Sequence, residues 1–238
     1  RYDSAELYFK RGLQQNEIEN GKRKNIYAGL TYRYNGDLLA ARGNNEMALQ
    51  QYQAAIQQMI FSFNDTSVFA SPSDYSGTFA VIELYETLLA KAAAFQALYQ
   101  EKNKIDYLEA ALQTFNSLYQ LTDYVEKTYE SDEARILLNQ KRHISHQQPI
   151  EICIRLFKLT GKNLYLEQAF FFDERNKASV LSLGLSDAAL KKAGNLPAPL
   201  VAEEINCKEL INQLSLKASG TNDSISLASL LAQIREQE

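Results

Sequence analysis

Apolar residues recur every three or four positions along nearly the whole chain, a period typical of amphipathic helices. The pattern predicts helices at 3–18, 25–43, 45–63, 78–101, 104–129, 131–146, 149–160, 163–184, 198–216 and 224–236. Short polar turns separate most of them, but "NDTSVFASPSDYSG" (64–77) is a longer loop rich in Ser, Asp, Asn and Pro. With ten glycines and four prolines in 238 residues, the sequence predicts an all-α fold.

One arrangement of small and aromatic residues recurs along the chain. In "EMALQQYQAAI" (46–56), Ala48, Tyr52, Ala55 and Ile56 share one helix face. The small residues let a neighbouring helix come close, and the aromatic ring fills the space beside them. Three further stretches carry the same offsets, the last more loosely: Ala5, Phe9, Gly12 and Leu13; Ala111, Phe115, Leu118 and Tyr119; and a copy that begins at Ala169.

The partner of the helix around Ala48 is predicted in "YRYNGDLLA", just upstream. Tyr32, Gly36 and Leu39 line one stripe of that helix. A glycine inside a helix costs about 1 kcal/mol relative to alanine, so it needs a reason in the packing. Close contact between the two helices supplies that reason.

Residues 29–60 resemble a tetratricopeptide repeat, which pairs a large–x2–Leu–Gly–x2–Tyr helix with an Ala–x3–Phe–x2–Ala helix. The matching positions are Tyr32, Gly36, Leu39, Ala48, Tyr52 and Ala55. Asn35 departs from the family's leucine, and Ile60 departs from its terminal proline. The resemblance implies a right-handed superhelical array of antiparallel helix pairs over residues 1–184, with irregular, long repeats.

The C-terminal third resembles a narrower group: bacterial proteins, similar to those of Bacteroidota, that place such repeats before a caspase-like CHAT peptidase domain. Two stretches carry the resemblance, "LTGKNLYLEQAFFFDERNKASVLSLGL" and "NLPAPLVAEEINCKELINQL". It implies that the chain is a recognition or regulatory region and that the peptidase's catalytic residues would follow Glu238. Residues 185–238 are then a linker and a helical pair that caps the array or connects it to a missing effector domain, and the cap is the favoured interpretation.

The tetratricopeptide resemblance also implies a concave, peptide-binding face lined by the first helix of each pair. In the register of residues 29–60, the groove residues would be Leu30, Arg33, Asp37 and Ala40. A later unit that starts at Gln147 would add Gln148, Glu151, Arg155 and Lys158. Together they would offer an extended peptide both charges and an apolar patch.

Little in the sequence indicates catalysis. Cys153 lies in the apolar run "IEICIRLF", which favours a buried thiol that acts as a small hydrophobe. His143 and His146 are spaced to share a metal, but no nearby Cys or acid completes a ligand set. No catalytic residue, cofactor or metal is therefore predicted.

Charge narrows the range of partners. A net charge of −4 argues against nucleic acid, and no apolar run is long enough to span a membrane. The predicted function is a cytoplasmic, non-enzymatic helical-repeat scaffold that binds a protein or an extended peptide, or the peptidase domain of its own chain. Two alternatives stay open: a purely structural spacer, and a small metal- or thiol-dependent enzyme that uses His143, His146 and Cys153.

Overall fold

The structure, a computed structural model, describes residues 2–21, 23–78, 80–128, 146–177, 197–219 and 224–237. Its helices are α1 (Tyr2–Asn20), α2 (Ile26–Ala41), α3 (Asn45–Met59), α4 (Val81–Lys102), α5 (Ile105–Thr128), α6 (Gln147–Thr160), α7 (164–177), α8 (Ala198–Ser219) and α9 (Ser224–Gln237). In these ranges the remaining regular structure is one isolated β-bridge. The all-α prediction is therefore confirmed.

Helices α2 and α3 form an antiparallel hairpin. Near its turn, Gly36 lies against Tyr52, and at its far end the Asn25 N–H donates to Oε1 of Gln58 at 3.3 Å. Residue numbers therefore rise along one helix as they fall along the other. The small residue predicted to allow a close approach lies at the contact itself.

Side-chain caps define where these two helices begin. Asn25 Oδ1 accepts from the Ala28 N–H at 2.9 Å at the start of α2, and Asn44 Oδ1 accepts from Met47 at 3.3 Å at the start of α3. Such caps satisfy amide groups that have no partner within the helix. Between them, Gly43 has a φ of +78°, which a side chain would make unfavourable. The turn is therefore encoded locally.

The direction of the helices alternates along the chain. Consecutive helices from α1 to α6 pack on each other. Helices two apart run in the same direction: Glu109 of α5 accepts from the Tyr165 hydroxyl of α7, and further along Asp123 of α5 pairs with Arg175 of α7. This up-and-down order places α2, α4 and α6 in one set and α3, α5 and α7 in the other.

One continuous hydrophobic core runs from α2 to α7. The residues of three copies of the recurring arrangement are buried: Ala48, Tyr52, Ala55, Ile56, Ala111, Phe115, Leu118, Tyr119 and Ala169. In α1, by contrast, Phe9 and Leu13 are half-buried and Gly12 is exposed. The first copy of the arrangement is therefore only partly covered.

A second, smaller cluster joins α8 to α9. It consists of Ile211, Leu214, Ala218 and Ile234, with Leu230 packed against it. These five residues of the C-terminal pair thus pack on one another. Whether the pair also caps the array stays a prediction.

The long loop between α3 and α4 is ordered and folds back on the helices. An antiparallel bridge between Ile60 and Thr78 closes it at its base. The prediction that α3 continues to residue 63 is therefore wrong, because Ile60 adopts an extended conformation to form the bridge. The predicted helix 131–146 lies almost entirely outside the described residues, which resume at His146. Among the described helices, none has the length and apolar character needed to cross a membrane.

Candidate interaction groove

Alanines of α4 form the floor of an open groove between α2, α3 and α4, which we call the α2–α4 groove. Its volume is about 350 Å³, and it is lined by Asp37, Ala40, Asn45, Tyr52, Ala90, Ala93, Ala94 and Ala97. Ala93 is exposed, whereas Ala90 and Ala97 are partly exposed. Because methyl groups are short, they leave room above α4 for the side chains of a ligand.

Asp37 supplies a carboxylate to the wall of this groove. Its Oδ1 accepts from the Tyr52 hydroxyl at 2.8 Å, and its side chain is 42% exposed. Burial, with the nearby Asp37 charge and hydrogen bond, raises the pKa of Tyr52. The bond therefore fixes the direction of the carboxylate while leaving it open to a ligand.

Arg33 links α2 to α4 beside the groove. Its guanidinium pairs with Glu86, and its Nε lies 3.9 Å from Oδ2 of Asp37. The same guanidinium lies over the ring of Tyr34, 5.5 Å from its centroid. Since one arginine faces two carboxylates, these three side chains together carry one net negative charge.

A smaller hollow of about 120 Å³ lies between α4 and α6. Two carboxamides of α4, Gln96 and Gln100, face Glu151 and Arg155 of α6 there. The Arg155 guanidinium also lies over the Tyr99 ring, 5.7 Å from its centroid. Helix α4 therefore lies between the two helices from which groove residues were predicted.

Of the eight predicted groove residues, some line the α2–α4 groove or the α6 hollow and others do not. Asp37 and Ala40 line the α2–α4 groove, and Glu151 and Arg155 line the α6 hollow. Leu30 is partly buried against the core, and Lys158 is exposed on α6. Gln148, near the start of α6, is half-buried. Arg33 is committed to an ion pair between helices, which reduces its availability to a ligand.

None of the groove residues predicted from the sequence lies on α4. Ala90, Ala93 and Ala97 supply most of the floor, and Glu86 pairs with the predicted residue Arg33. The sequence feature that could have indicated α4 is the run "AKAAAFQA" (90–97). It has more alanines than the buried face of one helix needs. The register of residues 29–60 gave no position on α4, because the long loop interrupts the repeat.

Of the three residues of the enzyme alternative, the structure describes His146 and Cys153. Cys153 is fully buried, and burial raises the pKa of its thiol to about 12. A thiol in that setting is a poor nucleophile at neutral pH. His143 lies outside the described residues, and among those the structure does describe, no three His, Cys, Asp or Glu side chains form a metal-binding group.

Compared with protein-family models, curated proteins and solved structures, the chain shows no match. The interpretation of the α2–α4 groove therefore rests on its own geometry and chemistry.

Proposed function

We propose that this chain is a helical-repeat scaffold that binds a segment of another protein, or an extended peptide, in the α2–α4 groove. The observation that carries the proposal is the groove's partly exposed alanine floor, with a fixed, partly exposed carboxylate in its wall. A groove lined by small apolar residues, with one fixed polar group in its wall, offers a partner's side chains both an apolar surface and a point of orientation.

The order of the helices supports a tetratricopeptide-like array. Helices alternate in direction, and small residues lie where α2 meets α3. In such an array each layer contacts its neighbours, so that helices of one set line a continuous surface. Here α2, α4 and α6 would form that surface, and both the groove and the α6 hollow open between members of this set.

The resemblance of the C-terminal third to repeats that precede a CHAT domain supports a more specific role. As the recognition or regulatory region of such a peptidase, the chain itself would perform no catalysis. Ligand binding between α2 and α4 would shift one layer against the next, and a serial array would pass that shift toward its C-terminal end. The catalytic residues would belong to another part of the parent protein.

Selection from a displayed library of random 12-residue peptides tests the proposed function. The best binder, labelled with fluorescein, is expected to bind saturably in fluorescence anisotropy. Ala93→Trp places a large ring in the groove, and we expect it to weaken binding at least tenfold. The matched control is Gln113→Trp, which alters an exposed position on α5, outside the groove, and should bind as the wild type does.

Both variants introduce the only tryptophan of the chain, since the sequence has none. Thermal melts followed by tryptophan fluorescence therefore check that each variant is folded. If no peptide binds saturably, or if Ala93→Trp binds as well as the control, the groove is not a binding site and a spacer role is favoured.

A further inference from the structure

A lysine is fully buried in the middle of α4. Lys91 has no solvent-exposed surface, and its Nζ donates to Oε1 of Gln53 at 2.7 Å and to the Ala70 carbonyl at 2.6 Å. Burying a charged ammonium group is unfavourable unless it is fully compensated, so lysine is rarely found in this position. Two acceptor oxygens match the two N–H donors of an uncharged amine.

One of these acceptors belongs to the loop between α3 and α4. We call residues 61–78 the cover segment. In addition to the Ala70 carbonyl, the segment contributes the Phe69 ring. This ring packs on Phe95 of α4 and on Tyr107 of α5, with centroid distances of 5.5 and 6.3 Å. The cover segment therefore lies over the junction of the α3–α4 and α4–α5 pairs, with Lys91 beneath it.

Further hydrogen bonds hold the cover segment at each side of Ala70. The side chain of Gln53 donates to the Asp65 carbonyl at 2.7 Å, so that one glutamine contacts both the segment and Lys91. On the other side, the Tyr75 hydroxyl bonds to Ser117 of α5. The segment is held by these hydrogen bonds, by its Phe69 ring, and by the packing of Phe63, Val68 and Tyr75 on the core. The bridge closes it at its base.

The charge environment of Lys91 is sparse. Helix α3 presents the neutral amide of Gln53, and α4 presents the Phe95 ring at 5.9 Å from Nζ. From the cover segment, the charge of Asp65 favours the protonated amine. Burial opposes it more strongly and lowers the pKa of Lys91 to about 7.

We propose that the cover segment is a pH-sensitive latch, which closes over uncharged Lys91 and opens more readily when Lys91 binds a proton. When the segment lifts, water reaches the amine, which then regains the basicity of an ordinary lysine. Opening is therefore coupled to proton uptake. The latch goes beyond the proposed binding function and does not depend on it.

The direction of the pH dependence follows from the protonation of Lys91 in the closed state and in the open state. The open state binds a proton more tightly than the closed state, since the pKa of Lys91 is lowered only in the closed state. As the pH rises from 7 toward 10.5, the closed state is progressively favoured, by up to tenfold per pH unit for one proton. Below pH 7 both states are protonated and the dependence disappears.

Hydrogen exchange measured by mass spectrometry on the full chain tests the latch. The reporter is the Ala70 amide, which donates to the Ser67 carbonyl at 3.0 Å within the cover segment. At each pH, the intrinsic exchange rate is divided by the measured rate to give a protection factor. For the wild type, we expect the protection factor to rise severalfold to tenfold per pH unit between pH 7.5 and 9.5.

Lys91→Met keeps the length of the side chain but cannot bind a proton. In this variant, the rise of the protection factor per pH unit should be severalfold to tenfold smaller than in the wild type. Lys104→Met removes one charge from an exposed position and should keep the wild-type slope. Lys24 also donates to carbonyls at the start of the segment, and its pKa is lowered to about 8. Its contribution is common to all three proteins and cancels in the comparison.

A second measurement needs no variant. Carbon-13 NMR of the lysine side chains in the wild type should show one resonance, assigned to Lys91, that titrates near pH 7. Equal slopes in the wild type and Lys91→Met would overturn the proposal, and so would a Lys91 resonance that titrates near pH 10.

Discussion

The ring of Tyr52 occupies the space in which Gly36 would carry a side chain. A Cβ atom built on Gly36 would lie 2.6 Å from Cε1 and 2.8 Å from Cδ1 of that ring. The ring cannot easily move, because it is buried in the core and its hydroxyl is bonded to Asp37. The contact between α2 and α3 therefore depends on one missing methyl group.

Gly36→Ala is expected to destabilise the protein by about 2 kcal/mol, because the clash outweighs the better helix propensity of alanine. The larger Gly36→Leu and Ala48→Leu should lose about 2–4 kcal/mol. Gly12→Ala is the matched control, since its nearest neighbour would be 3.9 Å away. Urea unfolding followed by circular dichroism measures the difference. Equal stability of Gly36→Ala and Gly12→Ala would contradict the packing described here.

Tyr52→Phe keeps the ring and removes its bond to Asp37. Because that carboxylate is partly exposed, the expected loss of stability is about 1 kcal/mol. Asp37→Asn keeps an acceptor oxygen for the hydroxyl and should lose less. Chemical unfolding of both variants gives the comparison, and a larger loss in Asp37→Asn would show that the charge matters more than the hydrogen bond.

Tyr75 makes stability sensitive to alkaline pH. Burial raises the pKa of Tyr75, whereas in the unfolded chain a tyrosine ionises near pH 10. The stabilising effect of Tyr75 is therefore present below pH 10 and is lost as the pH rises above it. Tyr75→Phe should be less stable than the wild type at pH 9, and the gap should close by up to about 1.4 kcal/mol per pH unit from pH 10 to 12. Urea unfolding across this range measures the gap, and a constant gap would refute the prediction.

The two cysteines should differ in reactivity. Cys153 is fully buried with a raised pKa, whereas Cys207 is partly exposed. At pH 8, Ellman's reagent is expected to label Cys207 first and to label Cys153 only after denaturation. In Cys207→Ser, labelling of the native protein should be almost absent. Rapid labelling of that variant would instead favour a reactive thiol.

The sequence by itself determined the local structure. Apolar periodicity and scarce Gly and Pro located the helices, because these signals act within one turn of the chain. Gly36 could be recognised as a point of contact between two helices, since a glycine inside a helix needs a reason in the packing. The loop between α3 and α4 was also predictable from its turn-forming residues.

Only the tertiary structure decided which surfaces meet. Alanines of α4 became the groove floor because α2 lies beside them, and no local pattern encodes that neighbour. Lysine side chains are normally exposed, yet the cover segment buries Lys91. A residue's environment depends on chain segments far away in sequence, and the folding of a long loop over α4 changed both the exposure and the basicity of that lysine.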